Sequence, residues 1–284
     1  MGLLDLFTKT NTLFFPGCTT YHKNKEGLEL YKLIFTKLGI KFLELEKNQC
    51  SGIEILEAGY DQEARKQARK NLSIFQENDI TQLITTDPKC YKTFKQDYKE
   101  FLPDWNIETI NIWQLILNQL RKKHHLIKNK PMEIITFHDS CYLGRHSKIY
   151  EEPREILEAL GYQIEELDNN EEDCFCCGSC GNLPFTNPEL ANKIAKEKIS
   201  QAKRIGIKKI IVTSFDNYNL LRKNSKNSGV EILELSDVIA NSLDIQKIIY
   251  EEEIEGEEKI LAETRANMRL KDELKDEDDY DEQY

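Results

Sequence analysis

The chain repeats itself, and the repeat limits the possible folds more than any other feature. Residues 80–91, ITQLITTDPKCY, and residues 207–218, IKKIIVTSFDNY, both run from a β-branched apolar stretch through Thr to Tyr, at an offset of 127 residues. FFPGC at 14–18 is answered by ITFHDSC at 135–141, CSG at 50–52 by CCG at 176–178, and IETINIWQLILNQL at 107–120 by VEILELSDVIANSL at 230–243, at offsets of 123, 126 and 123. A recurrent offset of this kind marks one supersecondary assembly built twice.

Within each unit, short apolar runs alternate with helical patterns, which calls for βαβ crossovers and a parallel sheet. The expected fold class is therefore α/β: two tandem βαβ units related by a pseudo-twofold, one over residues 1–128 and one over 129–250. In the first unit Leu13 to Phe15 read as a strand broken by Pro16 and Gly17, Gly27 to Leu38 as a helix stopped by Gly39, and Ile40 to Leu45 as the next strand. From Asp61 to Glu77, Ala64, Ala68, Leu72 and Phe75 fall at helical spacing, opposite a solvated face of Arg65, Lys66, Arg69 and Lys70. The join lies at Lys128 to Pro131, with His124 and His125 as exposed linker residues rather than metal ligands.

Charge separates body from tail. The formal charge of the 284 residues is -11, yet residues 251–284 hold 15 Asp and Glu against 5 Lys and Arg, so the body is close to neutral. A neutral body lacks the field that steers proteins to nucleic acid, which is excluded as a partner. The tail is too acidic and too poor in apolar residues to offset its ordering entropy, and disorder is expected for 251–284, with a transient helix over residues 260–274. No apolar run is long enough for a membrane span, while peripheral association with a membrane stays open. The opening MGLLDLFTKTNTLFF does not read as a signal peptide, so a cytoplasmic location is expected, where thiols stay reduced. The eight cysteines then point to metal or redox chemistry.

All eight stand after expected strands or at glycine-rich turns, outside helix interiors: Cys18, Cys50 and Cys90 in the first unit, Cys141, Cys174, Cys176, Cys177 and Cys180 in the second. Loops beyond the carboxyl ends of parallel strands gather at one edge of a sheet, so these sulfurs should meet in space. Soft thiolates suit zinc or iron–sulfur clusters. Zinc would want compact ligand pairs, whereas in the first unit single cysteines stand more than thirty residues apart.

These residues carry a resemblance. PGC, then CSG, then DPKC in the first unit, and HDSC, then CCG, then the cysteine-free SFDN in the second, resemble the cysteine-rich CCG domain in its tandem form, which is similar to the cysteine-rich component of heterodisulfide reductase and to the iron–sulfur subunits of glycolate, lactate and anaerobic glycerol-3-phosphate dehydrogenases. The family pattern has one Cys, then Cys-Cys-Gly, then Cys-x-x-Cys in each repeat. Here Ser51 and Asp87 stand at two cysteine positions of the first repeat, and Ser214 and Asn217 at two of the second. The full set holds a cluster that cleaves a disulfide, and four replacements argue against that reaction here.

The resemblance implies an iron–sulfur electron-transfer subunit of a heterodisulfide-reductase-like or 2-hydroxy-acid-dehydrogenase-like complex. It would hold one or two [4Fe-4S] clusters on Cys18, Cys50, Cys90, Cys141, Cys176, Cys177 and Cys180. Cys174 is an alternative to Cys180, and Asp87 is either an oxygen ligand or an ordinary turn residue. His138 and Gly178 would contact the cofactor, the first by a hydrogen bond to sulfur and the second by close backbone approach; Asp139, Arg145 and His146 flank the same loop. With no GxGxxG turn and no ferredoxin-type CxxCxxC run in the chain, the partner implied is a flavoprotein or ferredoxin-type subunit. The alternatives are a degenerate zinc-binding or metal-free scaffold, and a thiol redox sensor using Cys176 with Cys177 or Cys180.

Overall fold

The computed structural model describes residues 11–45 and 50–246. The acidic tail and the helix expected over 260–274 lie outside the described residues. Two parallel sheets form. In the first, β1 (Thr12–Phe14), β2 (Gln82–Ile84) and β3 (Glu108–Ile110) run side by side in that order. In the second, β4 (Ile134–Phe137), β5 (Gln163–Ile164), β6 (Lys209–Val212) and β7 (Glu231–Glu234) lie in the order β5-β4-β6-β7. Leu43 bridges to Leu13 at the outer edge of β1, at the place that β5 takes beside β4. The topology of one repeat is thus that of the other, as the sequence offset requires.

The expected strand over Ile40–Leu45 is reduced to that one bridge. Phe14 N donates to Leu43 O and Leu43 N to Thr12 O, both at 2.9 Å, and ladder pairing goes no further among the described residues. The equivalent edge strand β5 is itself two residues long, so an alternating pattern at a sheet edge overstates the paired length. The helices follow their stripes: one runs Lys25–Leu38 and another Asp61–Glu77. His124 and His125 sit exposed on a short 3-10 turn, as expected.

Strands buried on both faces alternate their side chains between two cores. Leu13 and Leu83 point into a core belonging to the first repeat, with Phe75, Phe94, Tyr98 and Trp105. Ile210 and Val212 point into one belonging to the second, with Ala195 and Ile199. Their neighbours Phe14, Ile84, Phe137 and Ile211 all join a third core, which both repeats share and which also holds Tyr31, Ile34, Trp113, Leu157 and Ile239. Across it Tyr31 Oη donates to Glu234 Oε1 at 2.8 Å, a buried contact between residues 203 apart. Burial raises the Glu234 carboxyl to about 7 despite the donors around it.

The helix Lys25–Leu38 approaches the second repeat so closely that a Cβ on Gly27 would lie 2.0 Å from Phe215 Cζ. Gly27→Ala is therefore expected to destabilise the fold by about 1–3 kcal/mol, overpacking outweighing the better helix propensity of alanine. Urea midpoints would show the loss, and Phe215→Leu in the same chain would recover part of it.

Candidate functional site

Each sheet directs its cysteine-bearing loops to one edge. Cys18 opens the helix Cys18–Lys23 just after β1, and Cys90 lies inside the helix Pro88–Lys92 just after β2. Cys90 thus corrects the expectation that no cysteine lies in a helix interior. Pro88 supplies a fixed φ at the first helical position, and Asp87 caps the end by accepting from Cys90 N at 2.9 Å. Asp87 therefore has a capping role that accounts for it.

In the first repeat Cys18 and Cys50 stand side by side and interact directly. That contact lowers the Cys50 thiol to about 7 and pushes Cys18 up. Gly52 N also donates to Cys50 Sγ, at 3.3 Å. Cys90 Sγ donates to Ser51 Oγ at 3.2 Å, and burial raises its thiol. The Cys-Ser-Gly turn is held from below by a buried network that sequence spacing does not reveal. Asn71 Nδ2 donates to Cys50 O at 2.8 Å and to Tyr98 Oη at 2.7 Å, and Tyr98 Oη donates to Ser51 O at 2.9 Å. The available signal was an asparagine in the apolar stripe of the helix Asp61–Glu77, where Asn71 is 0% exposed.

The second repeat repeats this geometry with a sulfur moved. Gly178 N donates to Cys176 Sγ at 3.3 Å, matching Gly52 and Cys50. Both glycines have positive φ, and a Cβ on Gly178 would also meet Ala191 O at 2.9 Å, so glycine is required there by the turn and by the helix Pro188–Arg204 alike. Where the first repeat has Ser51 touching Cys90, the second has Cys177 touching Asn217, whose Nδ2 donates to Cys177 Sγ at 3.1 Å. Cys141 stands within hydrogen-bonding reach of Cys180, which lowers the Cys141 thiol and raises Cys180; burial raises Cys177 to about 12.

Cys174 faces elsewhere. Its Sγ accepts from Lys198 Nζ at 3.3 Å and lies 3.5 Å from His138 Nδ1. All three residues are buried, and burial holds the His138 imidazole well below its usual range, hence neutral. His138 is thereby placed beside Cys174. Asp139, next to His138, is gripped by Arg154, whose Nη1 and Nη2 donate to Oδ1 and Oδ2 at 2.7 and 2.9 Å. Arg145 Nη1 donates to Cys174 O at 2.7 Å.

The two sites adjoin. Lys89, next to Cys90, pairs at 2.7 Å with Glu54 of its own repeat and at 2.7 Å with Asp216 of the other. A cavity of about 510 Å³ opens there, with Cys18, Glu54 and Lys89 facing Ser179, Asn182 and Asp216. Among the described residues no three His, Cys, Asp or Glu side chains stand close enough to hold a single metal ion. Among those residues, no helix is long and apolar enough to cross a membrane.

Comparison with known proteins agrees with this geometry. The profile of the cysteine-rich CCG domain matches residues 12–95 and 135–216, once on each repeat. The chain is 35% identical over 198 residues to a probable iron-sulfur-binding oxidoreductase, FadF, of Bacillus subtilis, covering 67% of this chain and 27% of that protein. It is 28% identical over 201 residues to one of the subunits of the dihydromethanophenazine:CoB–CoM heterodisulfide reductase of Methanosarcina acetivorans, covering 68% of this chain and 49% of that protein. The chain thus spans between about a quarter and a half of the length of these relatives. The crystal structure of a hypothetical protein from Helicobacter pylori superimposes with a TM-score of 0.52 at 14% identity, over 86% of this chain and 53% of that one, a likeness of fold alone. With two matched copies covering more than half its length and the cysteine loops of each at one sheet edge, the chain belongs to the cysteine-rich CCG domain family.

Proposed function

We propose that this chain is an iron–sulfur electron-transfer subunit of an oxidoreductase complex. In this reading Cys18, Cys50 and Cys90 hold a cluster at the first site, and Cys141, Cys176, Cys177 and Cys180 hold one of [4Fe-4S] type at the second. The observation that carries the reading is the juxtaposition of cysteines from distant loops twice over, Cys18 with Cys50 in the first repeat and Cys141 with Cys180 in the second.

The arrangement suits a cluster better than zinc. A structural zinc takes four donors around one ion, whereas a cluster takes its cysteines on separate irons and tolerates thiols that gather without converging on a point. When bound, such a cluster would supply one-electron transfer. The protein's own part is to fix the sulfurs: Gly52 and Gly178 direct N–H groups at Cys50 and Cys176, and Asp87 fixes the turn beneath Cys90. The names of the relatives, an iron-sulfur-binding oxidoreductase and a component of a heterodisulfide reductase, support the same reading. The electron partner would be a flavoprotein or a ferredoxin-type subunit.

Protein purified and reconstituted without oxygen is expected to be brown and to contain iron and acid-labile sulfide in equal amounts. Colourless protein carrying stoichiometric zinc overturns the reading in favour of a scaffold. Iron-free protein in which Cys18 and Cys50 form a disulfide overturns it in favour of a thiol redox pair, which the lowered Cys50 thiol would suit.

A further inference from the structure

At one contact the two repeats place their thiol on opposite members of an equivalent pair. At the pair of touching positions 51 and 90 the first repeat has a hydroxyl and a sulfur; at the equivalent pair 177 and 217 the second has a sulfur and an amide. Each repeat keeps one thiol at this contact, but at opposite members of the pair. Asn217 thus stands where the first repeat has the ligand candidate Cys90.

Asn217 is 1% exposed. Its Nδ2 makes two hydrogen bonds, to Cys177 Sγ at 3.1 Å and to Ser179 Oγ at 2.7 Å, and Ser179 Oγ in turn lies 3.3 Å from Cys177 Sγ and 3.6 Å from Cys180 Sγ. Its Oδ1 is buried without a partner among the described residues. Burying an amide oxygen unpaired is costly, so this orientation is held against a penalty. What it secures is an N–H aimed at sulfur. Ser179, the other polar side chain at the same sulfur, is itself oriented by the second Asn217 bond.

We propose that Asn217 is a positioning residue that sets the reduction potential of the second site, by donating a hydrogen bond to Cys177 Sγ and by holding Ser179 between Cys177 and Cys180. The inference rests on the iron–sulfur reading given above. A hydrogen bond to a ligating sulfur draws off negative charge and favours the reduced cluster, raising its potential. At the first site the neighbour of the Cys90 sulfur is the Ser51 hydroxyl, which turns from acceptor to donor once Cys90 is a ligating thiolate, and among the described residues no side-chain amide stands at that contact.

The test is a potentiometric titration of the anaerobically reconstituted full chain, followed by electron paramagnetic resonance, in the wild type, Asn217→Leu and Asn217→Asp, with iron counted in each. Leucine keeps the volume and removes the donor; aspartate keeps the shape and replaces the donor by an acceptor. In Asn217→Leu the reduced-to-oxidised ratio at fixed potential is expected to fall about tenfold, which for a one-electron couple is a downward shift of about 59 mV, with iron per chain unchanged. Asn217→Asp should shift in the same direction and further. Unchanged potentials in both variants of an iron-bearing protein overturn the inference alone. Loss of one site's iron in Asn217→Leu overturns it by making Asn217 a ligand. A wild type without iron removes the reading beneath it and the inference together.

Discussion

Arg154→Met is expected to destabilise the protein by about 3–5 kcal/mol, the cost of leaving a buried charge without its partner. Arg154 uses its whole guanidinium. Besides the two bonds to Asp139, Nε donates to Glu166 Oε1 at 2.7 Å and Nη1 to Tyr150 O at 2.9 Å, and the group lies over the Phe137 ring at 5.1 Å. The Asp139 side chain is 2% exposed and also accepts from Glu171 N at 2.8 Å, so its carboxylate ties the strand end before Cys141 to the turn before Cys174. Methionine would fill the space but leave that carboxylate facing an apolar neighbour. The matching control is Arg121→Met, which breaks an exposed pair with Glu155 and should cost less than about 1 kcal/mol. Urea unfolding of the two variants decides the matter: a cost for Arg154→Met no larger than that for Arg121→Met would show that Asp139 finds other compensation.

Cys177→Ser is expected to remove most of the firmly bound iron, while Cys50→Ser removes chiefly a labile, oxygen-sensitive fraction. The second site has four thiols in one neighbourhood, Cys141, Cys176, Cys177 and Cys180, and the first has three, and an oxygen replaces a lost thiolate only in part as a ligand for iron. Cys174→Ser serves as the control, because its sulfur is engaged by Lys198 and His138, and it should retain its iron. Iron counts after identical anaerobic reconstitution check the order. If Cys177→Ser keeps all the iron and Cys50→Ser keeps none, the stable cluster is at the first site.

What could be read from the sequence was what local spacing controls. The stripe Ala64, Ala68, Leu72 and Phe75 delimits the helix Asp61–Glu77 to the residue, because helical periodicity is a property of neighbours. The strand over residues 40–45 shrank to Leu43, because pairing depends on a partner edge that periodicity cannot see. The cysteine loops were expected to gather at one sheet edge from the parallel topology, and they do. The finer choices were not legible. Cys174 and Cys180 are separated by five residues, yet one sulfur meets Lys198 and the other Cys141, a difference set by how the helix Pro188–Arg204 packs over the turn. Lys89 reads as a surface lysine in DPKC, and only the approach of Asp216 from the other repeat makes it a buried link between the sites. Asn217 reads as a lost cysteine; its bonds to Cys177 and Ser179 come from residues 40 and 38 positions away.

The shared core has a consequence during synthesis. Tyr31 and its partner Glu234 are separated by 203 residues, and at about 5–20 residues per second the ribosome needs roughly 10–40 s to deliver the second after the first. Through that interval Tyr31, Ile34 and Phe35, joined by Trp113 once it is made, belong to a nascent half whose apolar flank has nothing yet to cover it. Until the second repeat emerges, the first is expected to expose that flank to whatever apolar surface it meets.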